Sequence, residues 1–206
     1  MLEYNHNLPC AQVSWCTGFF NCDMINTVSK PKSIVLIDGS NFYHKLKELK
    51  IPHTFSFDYL GFVDYIAEGT EIQSRYYCIG KIRAKQRDSK ARVMMAKQQS
   101  LVTRLQKQGF IIQFGYLLKS DERYHEKGVD VQIATNLLKG AFREQYNRAY
   151  LVSSDSDLIP AIKEARSIGR EVVYIGFEHQ PSFALLRNCT KSHLLTKKDL
   201  ELFVRR

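Results

Sequence analysis

From residue 31 to residue 196 the chain alternates short apolar, β-branched runs with longer segments whose apolar residues recur at helical spacing, and few folds tolerate that pattern. The run "SIVLID" (33–38) leads into "SNFYHKLKEL" (40–49), where Phe42, Leu46 and Leu49 fall on one helical face. Further strands are predicted at 74–80, 110–117, 148–154, 171–177 and 192–196, and helices at 57–67, 87–109, 129–142, 158–168 and 182–186, with a charged loop over 119–127. Strands that are apolar on both faces and separated by helices predict an α/β fold, a parallel sheet with helices on both faces. In such sheets functional groups collect at the carboxyl ends of the strands, where strand order reverses.

The 206 residues suit a single domain. Residues 1–30 lack periodicity and read as a poorly structured N-terminal tail; residues 31–206 read as the domain. The tail carries no basic segment ahead of "LPCAQVSWCTGFF", so it does not read as a secretory signal, and Met24 offers an alternative start. Cys10, Cys16 and Cys22 lack the close Cys-x2–4-Cys pairing of zinc sites. An odd total of five cysteines, with Cys78 inside a strand, argues for a reducing, cytoplasmic setting over a disulfide framework. No apolar run approaches the roughly 20 residues that span a bilayer. Homo-oligomerisation is not legible.

Asp38 ends the first strand and Asp155 a later one, so the fold sends both to one rim of the sheet. On the helix at 129–142, Asp130 shares a face with Ile133, Ala134, Leu137, Leu138 and Ala141, the face that packs on the sheet. A carboxylate there needs a cation or hydrogen-bond donors; the plainer reading is a helix N-terminus, whose free N–H groups and dipole suit an acid. Several carboxylates at one rim repel unless a divalent cation neutralises them or one is protonated. Hard oxygen ligands without a Cys or His cluster select Mg²⁺ or Mn²⁺. Asp38, Asp130 and Asp155 are therefore the candidate metal ligands, with Asp157 and Asn41 as candidates for positioning water or phosphate. Ser154 and Ser156 can cap the helix beginning near Leu158, where Pro160 is tolerated in the first turn.

The net charge of +9 suits a polyanionic partner, and its position matters more than its size. Between Lys81 and Lys107 nine basic side chains face the single acid Asp88, a net +8. This stretch begins where the strand "RYYCIG" ends, at the acidic rim. Basic groups beside a metal site suit a phosphodiester: the cations hold the backbone while the metal acts on one linkage. Lys81, Arg83, Lys85, Arg87, Lys90, Arg92 and Lys127 are the candidate nucleic-acid contacts. The plainer alternative is a solvated helix face with Val93, Met94, Leu101, Val102 and Leu105 turned inward. Tyr76, Tyr77, Phe110 and Phe114 read as core, and His44, His125 and His179 as surface residues.

Together "VLIDGSNFY", "KGVDVQIATNLL", "YLVSSDSDLIPAIKEARSIGREVVYIG" and the basic stretch resemble an NYN domain, a branch of the PIN-like nucleases, over about residues 33–196. The family's first acidic motif falls on Asp38 with Asn41, the middle one on Asp130 preceded by Lys127, and the last on Asp155 and Asp157. The resemblance implies a Rossmann-like PIN fold and Mg²⁺- or Mn²⁺-dependent cleavage, usually of RNA; the sequence does not separate RNA from DNA. The family often has Thr-Gly-Asp or Ser-Gly-Asp where this chain has Ser153-Ser154-Asp155. A serine there narrows backbone approach or offers a hydroxyl to phosphate. Two rivals stand beside the nuclease: an NYN-like module that binds RNA or protein without turnover, and a small-molecule phosphatase. The phosphatase lacks an Asp-x-Asp after the first strand, where "DGSN" stands, and leaves the +8 stretch unexplained.

Overall fold

The computed structural model describes residues 29–51, 56–82, 89–120 and 123–204. The tail through residue 28, with Cys10, Cys16 and Cys22, lies outside them, as do Arg83, Lys85 and Arg87.

Seven strands form one sheet: β1 (Lys32–Asp38), β2 (Glu71–Gly80), β3 (Phe110–Ser120), β4 (Arg123–Lys127), β5 (Arg148–Val152), β6 (Glu171–Phe177) and β7 (Lys191–Leu195). Their order is β4-β3-β2-β1-β5-β6-β7, and all pairings are parallel except β3 with β4. The expected parallel α/β sheet is thus present, with one difference. The segment 119–127, expected as a loop, closes an antiparallel hairpin in which Tyr116 pairs with Lys127 and Ser120 with Arg123. Charged residues hid it because an edge strand need not alternate apolar and polar side chains.

Helices cover both faces. Val35, Ile37, Tyr77, Tyr150, Val152 and Ile175 point to the side packed by α1 (Gly39–Glu48), α2 (Tyr59–Ile66), α3 (Ser89–Lys107) and α7 (Lys197–Glu201). Ile34, Leu36, Cys78, Leu151 and Tyr174 point to the side packed by α4 (Val129–Phe142), α5 (Ile159–Ser167) and α6 (Phe183–Asn188). Alternation of side chains along each strand explains why every strand reads as a continuous apolar run.

The first core is aromatic. The Phe42 ring lies 5.2–5.9 Å from those of Phe62, Phe57, Tyr59 and Phe177, at tilted or edge-on angles that suit the ring quadrupoles. The second core includes a polar staple: Asn136 on α4 exchanges amide hydrogen bonds with Gln113 on β3, and the Cys78 thiol donates to Gln113 Oε1 at 3.6 Å. That staple fixes how α4 sits on the sheet.

α3 differs from its sequence reading. Leu101, Val102 and Leu105 are buried, whereas Val93 is 54% exposed and Met95 43%. Only the C-terminal half of the helix packs on the sheet. Gln98 anchors its middle, donating from Nε2 to Gly80 O at 2.8 Å and accepting from Ile82 N at 2.9 Å. The chain leaving β2 is therefore tied to α3 on both sides of Lys81.

Candidate active site

Strand order reverses at β1, which has β2 on one side and β5 on the other. Ile37 pairs with Val152, so the residues that follow, Asp38 and Ser153, emerge side by side at the carboxyl edge. This is the crevice in which open α/β sheets bind ligands.

Asp38 is buried, 6% exposed, and both its oxygens are engaged. Oδ1 accepts from Asn41 N at 2.9 Å, capping α1, and Oδ2 accepts from Ser153 Oγ at 3.2 Å. Gly39 is required immediately afterwards, since a Cβ there would lie 2.6 Å from the buried Tyr77 ring. Burial, reinforced by Tyr59 and then by the Asp38 charge, pushes the Tyr77 phenol well above its ordinary range. Burial and then Asp38 push the Cys78 thiol up to about 12. The groups beneath Asp38 thus stay neutral at physiological pH and are unsuited to act as nucleophiles.

Asp130 enters from the other side. It is the second residue of α4, whose cap is Gly128 at φ +85°, a left-handed conformation natural to glycine, without a side-chain capping bond. Asp130 is accordingly not the cap, although its first-turn position suits the helix dipole. A cleft of about 200 Å³ is lined by Asp38, Ser40, Asn41, Gly128, Val129 and Asp130. Into this neighbourhood Asn41 brings a buried Oδ1 with no hydrogen-bond partner among the described residues. An unpaired buried amide oxygen on a residue that lines the same cleft as two carboxylates is an acceptor suited to a cation or a donor-bearing ligand.

Asp155 and Asp157 lie at the neighbouring strand end, after β5. Neither lines the cleft. Asp155 Oδ1 accepts from Asp157 N at 2.8 Å and caps the 3₁₀ turn Ser156–Leu158 that leads into α5. The capping role expected of Ser154 or Ser156 belongs to Asp155. Asp157 is exposed. Asp155 still communicates with the cleft, because its N–H donates to Ser153 Oγ at 3.2 Å and the Ser153 hydroxyl donates to Asp38. Ser153, 1% exposed, is the residue the sequence reading missed as a positioning group; its signal was the parallel register that sets it beside Asp38. Ser154 Oγ, buried and without a partner among the described residues, is a second uncommitted hydroxyl at the same turn.

Removing the Ser153 hydroxyl tests that connection. Ser153→Ala should lower any activity of the site about 10- to 100-fold, the usual effect of losing a group that orients a ligand, with circular dichroism unchanged. Unchanged activity would separate Ser153 from the site.

The basic residues divide. Lys81 is exposed, its Nζ 5.7 Å from the Phe114 ring centroid, and Lys90, Arg92 and Lys127 are exposed as well. Lys127 directly precedes the cleft residue Gly128. α3, however, runs back from the carboxyl to the amino edge of the sheet. Arg104 therefore lies near the far edge, donating to Phe57 O at 3.4 Å, and Lys107 lies beyond it. Among the described basic residues of the stretch, Lys81 follows the carboxyl end of β2, whereas Arg104 and Lys107 lie away from the carboxylates. His44 is exposed and His179 sits 3.3 Å from Glu48, both as expected of surface residues; the His125 side chain lies outside what is described.

The NYN domain model matches residues 32–196. The chain belongs to the NYN family. NYN domains are PIN-like nucleases, generally ribonucleases, and PIN-like domains typically use divalent metals. The fold is shared with a solved Vibrio parahaemolyticus protein described as of unknown function, at a TM-score of 0.62 and 21% identity over 82% of this chain and 95% of that one. No curated protein matches the chain. No helix among the described residues is long and apolar enough to cross a membrane.

Among the described residues of this NYN domain, no group of three or more His, Cys, Asp or Glu side chains is assembled to hold a metal. The cleft nonetheless suits Mg²⁺ or Mn²⁺ by its chemistry. Mg²⁺ keeps several waters and binds through one or two carboxylates plus substrate phosphates, not through a full protein cage. Asp38, Asp130 and the Asn41 amide oxygen are all hard donors.

Proposed function

We propose that this NYN domain is a metal-dependent ribonuclease acting at the cleft between β1 and α4. The observation that carries the reading is the meeting of Asp38 and Asp130 in one cleft beside the unpaired Asn41 Oδ1. Asp38 and Asp130 would hold Mg²⁺ or Mn²⁺, with Asp155 joining through water. Such an ion polarises a phosphoryl oxygen and lowers the pKa of a bound water.

The remaining work falls to the chain. Asn41 N–H and the Ser153 hydroxyl fix the Asp38 carboxylate, so its orientation is set before substrate arrives. Asn41 and Asp157 would orient water or phosphate, and Ser154 Oγ would donate to a phosphate oxygen. Lys81, Lys90, Arg92 and Lys127 would hold the backbone of the strand, joined by Arg83, Lys85 and Arg87.

The test is cleavage of a labelled single-stranded RNA and its DNA counterpart in EDTA, Mg²⁺ or Mn²⁺. RNA fragments released only with metal are expected. RNA bound but never cut would favour the binding module. In either case binding should weaken as salt rises, log affinity falling linearly with log salt because phosphate contacts release counterions; binding indifferent to salt would remove the basic residues from the interface.

A further inference from the structure

A second cavity adjoins the acidic cleft and has none of its chemistry. It measures about 310 Å³, within the range of small-ligand sites, roughly 300–1,000 Å³. Ser40 lines both spaces. Its walls are apolar or aromatic: Tyr43 and His44 from α1, Ile79 and Ile82 around the end of β2, and Met94 from α3. Gln98 also contributes, its amide held in place by Gly80 O and Ile82 N–H, which gives the wall rigidity. No acidic side chain lines the cavity.

Its surroundings are cationic. Lys81 adjoins Ile82, Lys90 and Arg92 precede Met94 on the same helix, and Lys47 Nζ lies 5.6 Å from the Tyr43 ring centroid. An apolar-walled space with aromatic rings in its lining, positive charge around it, and the proposed phosphodiester site next door matches one nucleotide: base inside, phosphate outside. Resting on the nuclease reading, we propose that this cavity takes an unpaired nucleobase of the RNA strand whose phosphate occupies the acidic cleft. A base held in a duplex is stacked and paired and cannot enter without being extruded. The cavity therefore makes the enzyme selective for single-stranded RNA.

The experiment measures Kd by fluorescence anisotropy for a short labelled single-stranded RNA and for the same strand in duplex, with Ca²⁺ replacing the activating metal. Wild-type protein is compared with Tyr43→Ala, which removes a ring, Met94→Trp, which fills the space, and Tyr43→Phe, which keeps the ring. Wild type should prefer the single strand. Tyr43→Ala and Met94→Trp should each weaken single-strand binding about tenfold, as loss of one stacked base does. Duplex binding should stay unchanged, and Tyr43→Phe should behave as wild type. Single-strand affinity unaltered by both disruptive variants would overturn the base pocket while leaving the nuclease reading intact. Equal wild-type affinity for single strand and duplex would overturn it also. Wild-type protein that binds neither strand would remove both readings.

Discussion

Asp38→Asn should reduce metal-dependent RNA cleavage by at least about 100-fold while leaving the protein folded. The substitution keeps the shape of the side chain and one amide oxygen able to cap α1 through Asn41 N–H. It removes the negative charge by which the proposed site would hold a cation. The other Asp38 oxygen now accepts the Ser153 hydroxyl. In the variant, an NH₂ at that position would donate to Ser153 Oγ, whose own hydrogen would have to rotate away while the oxygen keeps accepting from Asp155 N–H. Cleavage is read in protein free of contaminating nuclease, with thermal melting as the control for folding. Undiminished cleavage would remove Asp38 from the centre of the site.

The largest effect on stability should come from Phe42→Ala, at about 3–5 kcal/mol. Phe42, on α1, is fully buried and touches four other aromatic rings, which α2, β6 and the segment at Phe57 contribute. Truncation leaves a void walled by rings that are themselves packed against Phe203 and Tyr77 and cannot collapse readily. For a chain of this size the melting temperature should fall by roughly 6–20 °C. Phe42 is one residue after Asn41, so cleavage should decline before the fold is lost. A melting temperature within a degree or two of wild type would contradict the packing described here.

The layered sheet was legible because its strands are buried on both faces and therefore apolar throughout, as in "SIVLID" and "EVVYIGF". The β4 hairpin and the short α7 were not, since neither carries an uninterrupted apolar signal. α7 is held instead by a capping box between Thr196 and Asp199, a local feature easily passed over after the last strand. At the site, the reading of Asp38 with Asn41 and Asp130 in one place follows from two facts available in the sequence: a strand end and an acid on the inner face of a helix. The role of Asp155 was harder to foresee. An acid after a strand and before a helix can bind a metal, cap a turn or, as Asp38 is placed to do, both, and the hydrogen bond from Asp157 N shows the capping. Likewise the basic stretch could be counted but not oriented. The direction of α3, which carries Arg104 and Lys107 away from the rim, depends on how the helix returns to the start of β3.

The central claim, that Asp38 and Asp130 share one divalent cation for RNA cleavage, is tested most directly by the Mn²⁺ dependence of cleavage in wild type and Asp130→Asn. Asp130 comes from a different element than Asp38 and is not the N-cap residue of α4. The account predicts no wild-type cleavage in EDTA, cleavage that rises with Mn²⁺, and an Asp130→Asn curve abolished or displaced at least about tenfold toward higher Mn²⁺. Wild-type cleavage that persists in EDTA, or superimposable curves for the two proteins, would contradict it.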